Sequence, residues 1–485
     1  MEKKKKTRIL LFLALLAVVA VLALSVYQYT YMKQYVKING ELVSREAETL
    51  DLRGAAVEDL SLLEQLVSLK WLDIRDTGLT EAEYLSLKQA LPECRILWSV
   101  PFQGGYVDSD AETLATAQLS EEDIPVLCSL ESLKAVDLRG CRDYEAIRKL
   151  KQSGPELDIQ FDVELGGNIY SGDVRELELE NISADVMEQV LPVLSALQRV
   201  TFAGETPADE QIRRWKEEYP QVVFVWQFDV CGVSASSLDT ELILNDIPME
   251  SVEEVETALG NFYDLQWVEM CNCGIPSTEM DALWKRHPET RFVWMVQVGV
   301  CNLRTDIQVF MPYQYGYDGY SALFDRHMEE MKYCVDLICM DMGHMCISDY
   351  SFLAYMPHMQ YLILADTPGT DFSVLAELKE LKFLEIFMTT FDQAEVLTGL
   401  TSLEDLNIGN SSLDNIEPLL EMTWLKRLWV PGNVKISYEE RKQLREGLTD
   451  TIVMFATNSS TGGGWRESPN YYAMRDLLGM GYFTK

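Results

Sequence analysis

The sequence predicts an α/β solenoid, a curved parallel sheet on the concave side with helices on the convex side, after a single N-terminal transmembrane helix. Three observations predict it. Met359, Leu381, Leu403 and Leu425 recur 22 positions apart, and the same apolar pattern follows each. Residues 45–300 carry a second period of 63 to 68 residues. An uninterrupted apolar run, Ile9 to Leu24, stands directly behind a basic cluster.

The 22-residue pattern comes first because it is the most regular. Three residues after each leading position stand Leu362, Leu384, Leu406 and Leu428; two further on stand Leu364, Ile386, Ile408 and Val430. A fixed period of this length marks units that bury their apolar face only against neighbouring copies of themselves. The ninth position of each unit is Thr367, Thr389, Ser411 or Asn433. A small polar side chain there satisfies backbone groups where the chain turns out of its strand. The register L-x-x-L-x-L with a polar ninth position resembles the leucine-rich repeat family, strongly over 356–433 and loosely over the rest of 45–455. In its irregular repeat lengths the chain looks like the bacterial cell-surface members.

Charge and the N-terminus set the location. The formal charge is −36, and the local basic excess is confined to Lys3, Lys4, Lys5, Lys6 and Arg8. So acidic a surface repels phosphate backbones, which argues against a nucleic-acid partner. The run over 9–27 approaches the length needed to cross a bilayer core of roughly 30 Å. Its apolar stretch is long for a signal core, and Ala23, Leu24, Ser25 make a poor cleavage site, so an uncleaved anchor is expected rather than a signal peptide. Tyr27, Tyr29 and Tyr31 fall where an interfacial aromatic belt sits. Positive-inside logic keeps residues 1–8 in the cytoplasm and sends the bulk of the chain, past a juxtamembrane linker at 28–44, outside.

The long period is read from Pro92, Pro155, Pro220 and Pro288, each followed six residues on by Trp98, Phe161, Trp226 or Trp294. Gly104, Gly167 and Gly232 close three of these segments at a constant offset, and Gly299 closes the fourth one residue early. Three solenoid turns are expected per period, with helical stretches such as 56–67, 184–197 and 249–259 between strands. Ile159, Phe161 and Val163 alternate with Gln160, Asp162 and Glu164, which assigns the aromatic row to the core. Of the ten cysteines, Cys141 and Cys273 fall on ninth positions, and Cys334 with Cys339 fits the first and sixth positions of a unit through Leu337. Disulfides involving Cys94, Cys128, Cys231 or Cys301 stay open, because spacing alone does not pair them.

Two segments break the repeat. Residues 301–333, with Tyr313, Tyr315, Tyr317, Tyr320 and Phe324 among Gly316, Asp318 and Gly319, read as an inserted loop followed by a helix near 321–333. This separates the block at 45–300 from the regular block at 334–455. The tail, 456–485, carries Gly462, Gly463, Gly464 and Trp465 and then an amphipathic stretch, which reads as a terminal cap.

No catalytic motif, phosphate loop or dinucleotide fingerprint is present, so a binding protein without cofactor is expected rather than an enzyme. The soft donors between His327 and Met359 invite a copper(I) reading, with Met342, His344 and Cys346 as the nearest candidates, against a simple Met-rich core. The family resemblance implies ligand recognition on the concave residues flanking the buried ones: Tyr361, Ile363, Ala365; Phe383, Glu385, Phe387; Asp405, Asn407, Gly409; Arg427, Trp429, Pro431. Tyr361, Phe383, Glu385, Phe387, Asp405, Asn407, Arg427 and Trp429 are the candidate ligand-binding set, because aromatic and Arg residues beside acids make interface anchors. Their exposure is costly unless covered, by a protein or other cell-surface ligand or by the tail after Thr457. The expectation is a membrane-anchored extracellular binding module, with an architectural envelope spacer and extracytoplasmic copper handling as the alternatives.

Overall fold

Short strands arise wherever two apolar residues flank a third residue, because alternate side chains point to opposite sides of the sheet. The computed structural model describes residues 2–316 and 323–481 and divides into two compact units, Met1–Trp226 and Gln227–Lys485.

The first unit opens with helix α1 (Glu2–Gln34), whose 33 residues span about 50 Å. Its stretch Lys5–Tyr31 is long and apolar enough to cross a membrane and is exposed along its length. An antiparallel hairpin follows, β1 (Tyr35–Ile38) and β2 (Glu41–Ser44). Then come three parallel strands, β3 (Thr49–Asp51), β4 (Trp71–Asp73) and β5 (Arg95–Leu97). The alternation repeats: hairpin β6 (Ser99–Phe102) and β7 (Gly105–Asp108), then parallel β8 (Thr113–Ala115), β9 (Ala135–Asp137) and β10 (Asp158–Gln160). Hairpin β11 (Asp162–Leu165) and β12 (Asn168–Ser171) leads into β13 (Glu176–Glu180), β14 (Arg199–Ala203) and β15 (Val223–Val225).

The second unit begins in the same way. Hairpin β16 (Gln227–Val230) and β17 (Val233–Ser236) precedes β18 (Glu241–Ile243), β19 (Trp267–Glu269) and β20 (Arg291–Val293). After hairpin β21 (Met295–Val298) and β22 (Cys301–Arg304) the pattern changes. Seven parallel strands now run without interruption: β23 (Val309–Phe310), β24 (Cys339–Asp341), β25 (Tyr361–Ile363), β26 (Phe383–Glu385), β27 (Asp405–Asn407), β28 (Arg427–Trp429) and β29 (Ile452–Met454). Leu362, Leu384, Leu406 and Leu428 pair in register from strand to strand and are fully buried, an apolar ladder through four coils.

The long period is therefore three parallel coils plus a hairpin, and the hairpin is the part the sequence pattern did not separate. Its turns explain the displaced glycine. Gln103–Gly104, Gly166–Gly167 and Cys231–Gly232 have positive φ at both central residues, the mirror-image turn that matches strand twist. In the last hairpin only Gly299 is left-handed, at φ 62, with Val300 second, so glycine moves to the first turn position.

Coil length decides what returns on the far side of the sheet. Where partner strands lie 24 residues apart, as for Leu72 with Ile96 or Val268 with Phe292, the return is a ten-residue α-helix, Glu81–Ala90 or Ser277–Arg286. Where they lie 22 apart the return is shorter, either an α-helix of four to seven residues, as at Leu60–Leu63, Asp123–Ser129 and Glu417–Glu421, or a tight turn of 3-10 helix, as at Ser351–Tyr355, Ser373–Glu377 and Ala394–Leu397. The expected helices at 56–67, 184–197 and 249–259 shorten to Leu60–Leu63, Ala184–Val190 and Glu253–Leu259.

The ninth positions act as expected. Thr367 and Thr389 donate their hydroxyls to the carbonyls of Leu364 and Ile386, at 2.5 and 2.6 Å, and Asn433 donates to Ile408 at 2.9 Å. Cys273 does the same with its thiol to Leu244 O, at 3.2 Å. Trp98, Phe161, Trp226 and Trp294 are buried, as core. All ten cysteines are free thiols.

Two readings are corrected. Cys339 pairs with Tyr361 and Met340 with Leu362, so the unit before Met359 leads with Leu337, three residues later than a unit led by Cys334. The residues from 325 to 333 form two 3-10 turns, Asp325–His327 and Glu329–Tyr333, instead of a helix. Tyr317, Asp318, Gly319, Tyr320 and the start of that expected helix lie outside the described residues.

Candidate functional site: a covered sheet face

Residues at alternate positions of β24 to β28 point away from the Leu ladder, onto the other face of the seven-stranded sheet. Six of the eight candidates on it, Tyr361, Phe383, Glu385, Asp405, Asn407 and Trp429, are buried; Phe387 and Arg427 are half-buried. What buries them is the chain's own C-terminal segment. Trp465, fully buried, lies between Phe383 and Trp429 with ring centroids 5.1 and 5.2 Å away. Its indole N–H donates to Glu385 Oε1.

The rest of the segment is held largely through its backbone. Asn407 Nδ2 donates to Ser460 O at 3.0 Å, Trp429 Nε1 to Gly462 O at 2.9 Å, and Arg427 Nη1 to Trp465 O at 2.8 Å. The second Arg427 nitrogen donates to Gly464 O, and its guanidinium lies 4.6 Å over the Trp429 ring. Gly463 sits at φ +66, and a Cβ there would meet Thr457 Cγ2 at 2.8 Å, so the glycine run lets the chain pass close to its own entry strand. Beyond it Ser468 caps helix Pro469–Leu477 by accepting from the Tyr471 amide. That helix lays Tyr471, Met474 and Leu478 on the face, and Asn470 Nδ2 reaches Glu404 and Asp405 at 2.9 and 3.1 Å. Gln314 Nε2 closes the far end by donating to Leu478 O at 2.9 Å.

Electrostatically the covered face is strained. Burial pushes the Glu385 carboxyl up to about 7, against the opposing pull of the Trp465 indole and Arg466, and nearby Asp341 adds to the rise. Burial also raises Asp341 and Asp405, and lowers Arg427. The face therefore meets the segment with aromatic walls, a central carboxylate acceptor and an Arg fork.

Sequence reasoning brought eight residues of this face together and missed those of the preceding coil, Cys339 and Asp341, because that coil was read out of register. The corrected register also fixes where the soft donors lie. Met342 takes the sixth position and is fully buried in the ladder, whereas His344 is exposed and hydrogen-bonded to Asp366 at 2.9 Å, and Cys346 is exposed. One donor thus lies in the core and two at the surface. Among the described residues no group of three or more His, Cys, Asp or Glu is placed to hold a metal ion.

No family model and no curated protein matches the chain. Among solved structures, an internalin from Listeria monocytogenes is similar over 86% of this chain and 84% of its own, at 14% identity and TM-score 0.24. A leucine-rich-repeat protein of Leptospira interrogans is similar over 84% and 96%, at 14% identity and TM-score 0.24. The ectodomain of a plant membrane receptor kinase from Arabidopsis thaliana is similar over 86% and 39%, at 12% identity and TM-score 0.22. The 22-residue coil, its in-register Leu ladder and its hydrogen-bonding ninth position together make this a leucine-rich-repeat solenoid.

Proposed function

We propose that this is a membrane-anchored protein-binding module, with residues 1–8 in the cytoplasm and the repeats outside, and that it recognises its partner through the face lined by Tyr361, Phe383, Glu385, Phe387, Asp405, Asn407, Arg427 and Trp429. One observation carries the reading: this face already grips a non-repeat segment, by four backbone carbonyls and one indole. Side chains that meet a peptide backbone in this way are built for recognition, and Trp and Arg at the centre are where binding energy concentrates. The anchor rests on the α1 stretch Lys5–Tyr31 and the basic residues before it.

The test uses full-length protein in nanodiscs as bait against envelope extract, beside a variant with Phe387, Arg427 and Trp429 all changed to Ala. A discrete partner retained by the first and lost from the second supports recognition. The same proteins on both would favour an architectural role instead. An epitope at the C-terminus, accessible to antibody on unpermeabilised cells, checks the topology.

A further inference from the structure

We infer that residues 458–478 are a displaceable internal ligand of this face rather than the cap of the solenoid, and that the external partner is an extended peptide carrying an indole in the place of Trp465. The inference rests on the reading of the face as a recognition surface and adds the chemistry of what it recognises.

The path of the segment argues first. A cap covers the last coil. Here the last coil is closed by its own ten-residue helix, Tyr438–Gly447, with Leu444 and Leu448 buried, while β29 remains an edge whose Ile452 is 58% exposed. The segment instead turns back across the sheet, touching β27 at Ser460, β28 at Gly462, β26 at Trp465 and ending beside Gln314, next to β23.

The manner of holding argues second. Asn407, Trp429 and Arg427 read carbonyls, which every peptide offers; of the segment's side chains the Trp465 indole is the one read at the centre, through Glu385 and the two flanking rings, while Ser460 and Asn470 are met by Asn410 and by Glu404 with Asp405 toward either end. A central anchor with backbone reading is how a groove accepts a class of peptides. A cover meant to be permanent would do as well with apolar residues in place of the buried Glu385 and Asp405, since replacing buried ionic groups by well-packed apolar ones is often neutral or stabilising. Those carboxylates cost stability while covered and are solvated when the face is open.

The tether argues third. Only residues 455–457 join the segment to the end of β29 at Met454, and so short a link holds it at an effective concentration on the order of mM. An external peptide with the same anchor must outcompete that concentration, so the free face is presented only to a ligand that binds well.

The experiment uses the full-length chain in nanodiscs and a fluorescent peptide of residues 457–481. Trp465→Ala removes the internal anchor and leaves the face intact. The variant is expected to bind the peptide at least tenfold more tightly than the unmodified chain does, and a peptide carrying Trp465→Ala is expected not to bind. Equal binding to both chains, or none to a variant with unchanged circular dichroism, overturns the inference. If the variant fails to fold, hydrogen exchange on the unmodified chain decides. Amides of 459–478 should exchange at least tenfold faster than those of Leu384, Leu406 and Leu428; equal rates would make the segment part of the cooperative core and sink the idea. Peptide binding without any captured envelope partner would keep this inference and remove the receptor reading. A captured partner that excess peptide leaves in place would do the reverse.

Discussion

Strands β8, β10 and β13 share one strand plan with the seven-stranded sheet and carry opposite chemistry on the same face. On β13 the residues facing away from the core are Glu176, Glu178 and Glu180, all exposed; on β8 they are Thr113 and Ala115, and on β10 Asp158 and Gln160, again exposed. On β25, β26 and β28 the corresponding residues include Tyr361, Phe383 and Trp429, all buried. A strand tolerates either set, because its stability comes from the ladder on the other face. What differs is whether anything lies on top. The open faces of β10 and β13 are polar and solvated, and Asp158, Glu176, Glu178 and Glu180 supply part of the −36 charge; the covered face is aromatic and mixes in single acids.

The comparison breaks most readily at its foundation. Leu406→Ala, in the fully buried ladder, should cost about 2–5 kcal/mol and lower the unfolding midpoint of the whole regular block. Next comes a matched pair. Trp429 and Glu178 both stand between the two inward residues of their strands, Leu428 with Val430 and Leu177 with Leu179. Trp429→Ala should cost about 3–5 kcal/mol, whereas Glu178→Ala should stay within about 0.5 kcal/mol. Equal effects in chemical denaturation would mean that the covered face is not packed as described.

A third prediction uses pH. With the segment seated, Glu385 titrates near 7, raised by burial and by Asp341, while the Trp465 indole and Arg466 pull the other way. Burial raises Asp405 as well, against the hydrogen bonds of Ser468 and Asn470 and the Arg427 charge, with Glu404 adding to the rise. Glu404, hydrogen-bonded to Lys426 and Asn470, is lowered and opposes them at the acid end. When the segment lifts, Glu385 returns toward the ordinary carboxylate range, so the closed form binds its proton more tightly. Closure is therefore favoured fully below about 4.5 and weakened as pH rises to about 7, with no further loss from this group above that. Exchange of the 459–478 amides, corrected for intrinsic rates, should be roughly tenfold or more faster at pH 8 than at pH 5. Glu385→Gln should flatten that dependence.

How much of this was legible in the sequence follows from what each feature depends on. The Leu ladder and Thr367, Thr389 and Asn433 were readable because they repeat, and a repeat needs no tertiary information. The coil at β24 was misread because Cys334, Leu337 and Cys339 satisfy the same template as Leu337, Met340 and Met342; in so apolar a window only pairing with β25 decides. The hairpins escaped because four-residue strands are too short for alternation to stand out, although Gly104 and Gly299 already marked their turns. The aromatic face was identified, but its cover was not, since the path of residues 458–478 depends on partners up to 164 residues away, as Gln314 is from Leu478.

The smaller predictions test the repeat itself. Thr389→Val keeps the shape but removes the donor to Ile386 O, and should cost about 1 kcal/mol. The residue just before each ninth position is left-handed in successive coils: His344 at φ 63, Asp366 at 53, Met388 at 57, Asn410 at 52 and Gly432 at 74. Four of these are residue types that tolerate the conformation; Met388 is not, and its side chain is 46% exposed, so packing does not repay the strain. Met388→Asn should therefore stabilise the regular block by about 0.5–1 kcal/mol in chemical denaturation. A neutral or destabilising result would mean that the Met388 side chain contributes to the covered face beside Phe387, and the boundary between that face and solvent would then lie one residue further out.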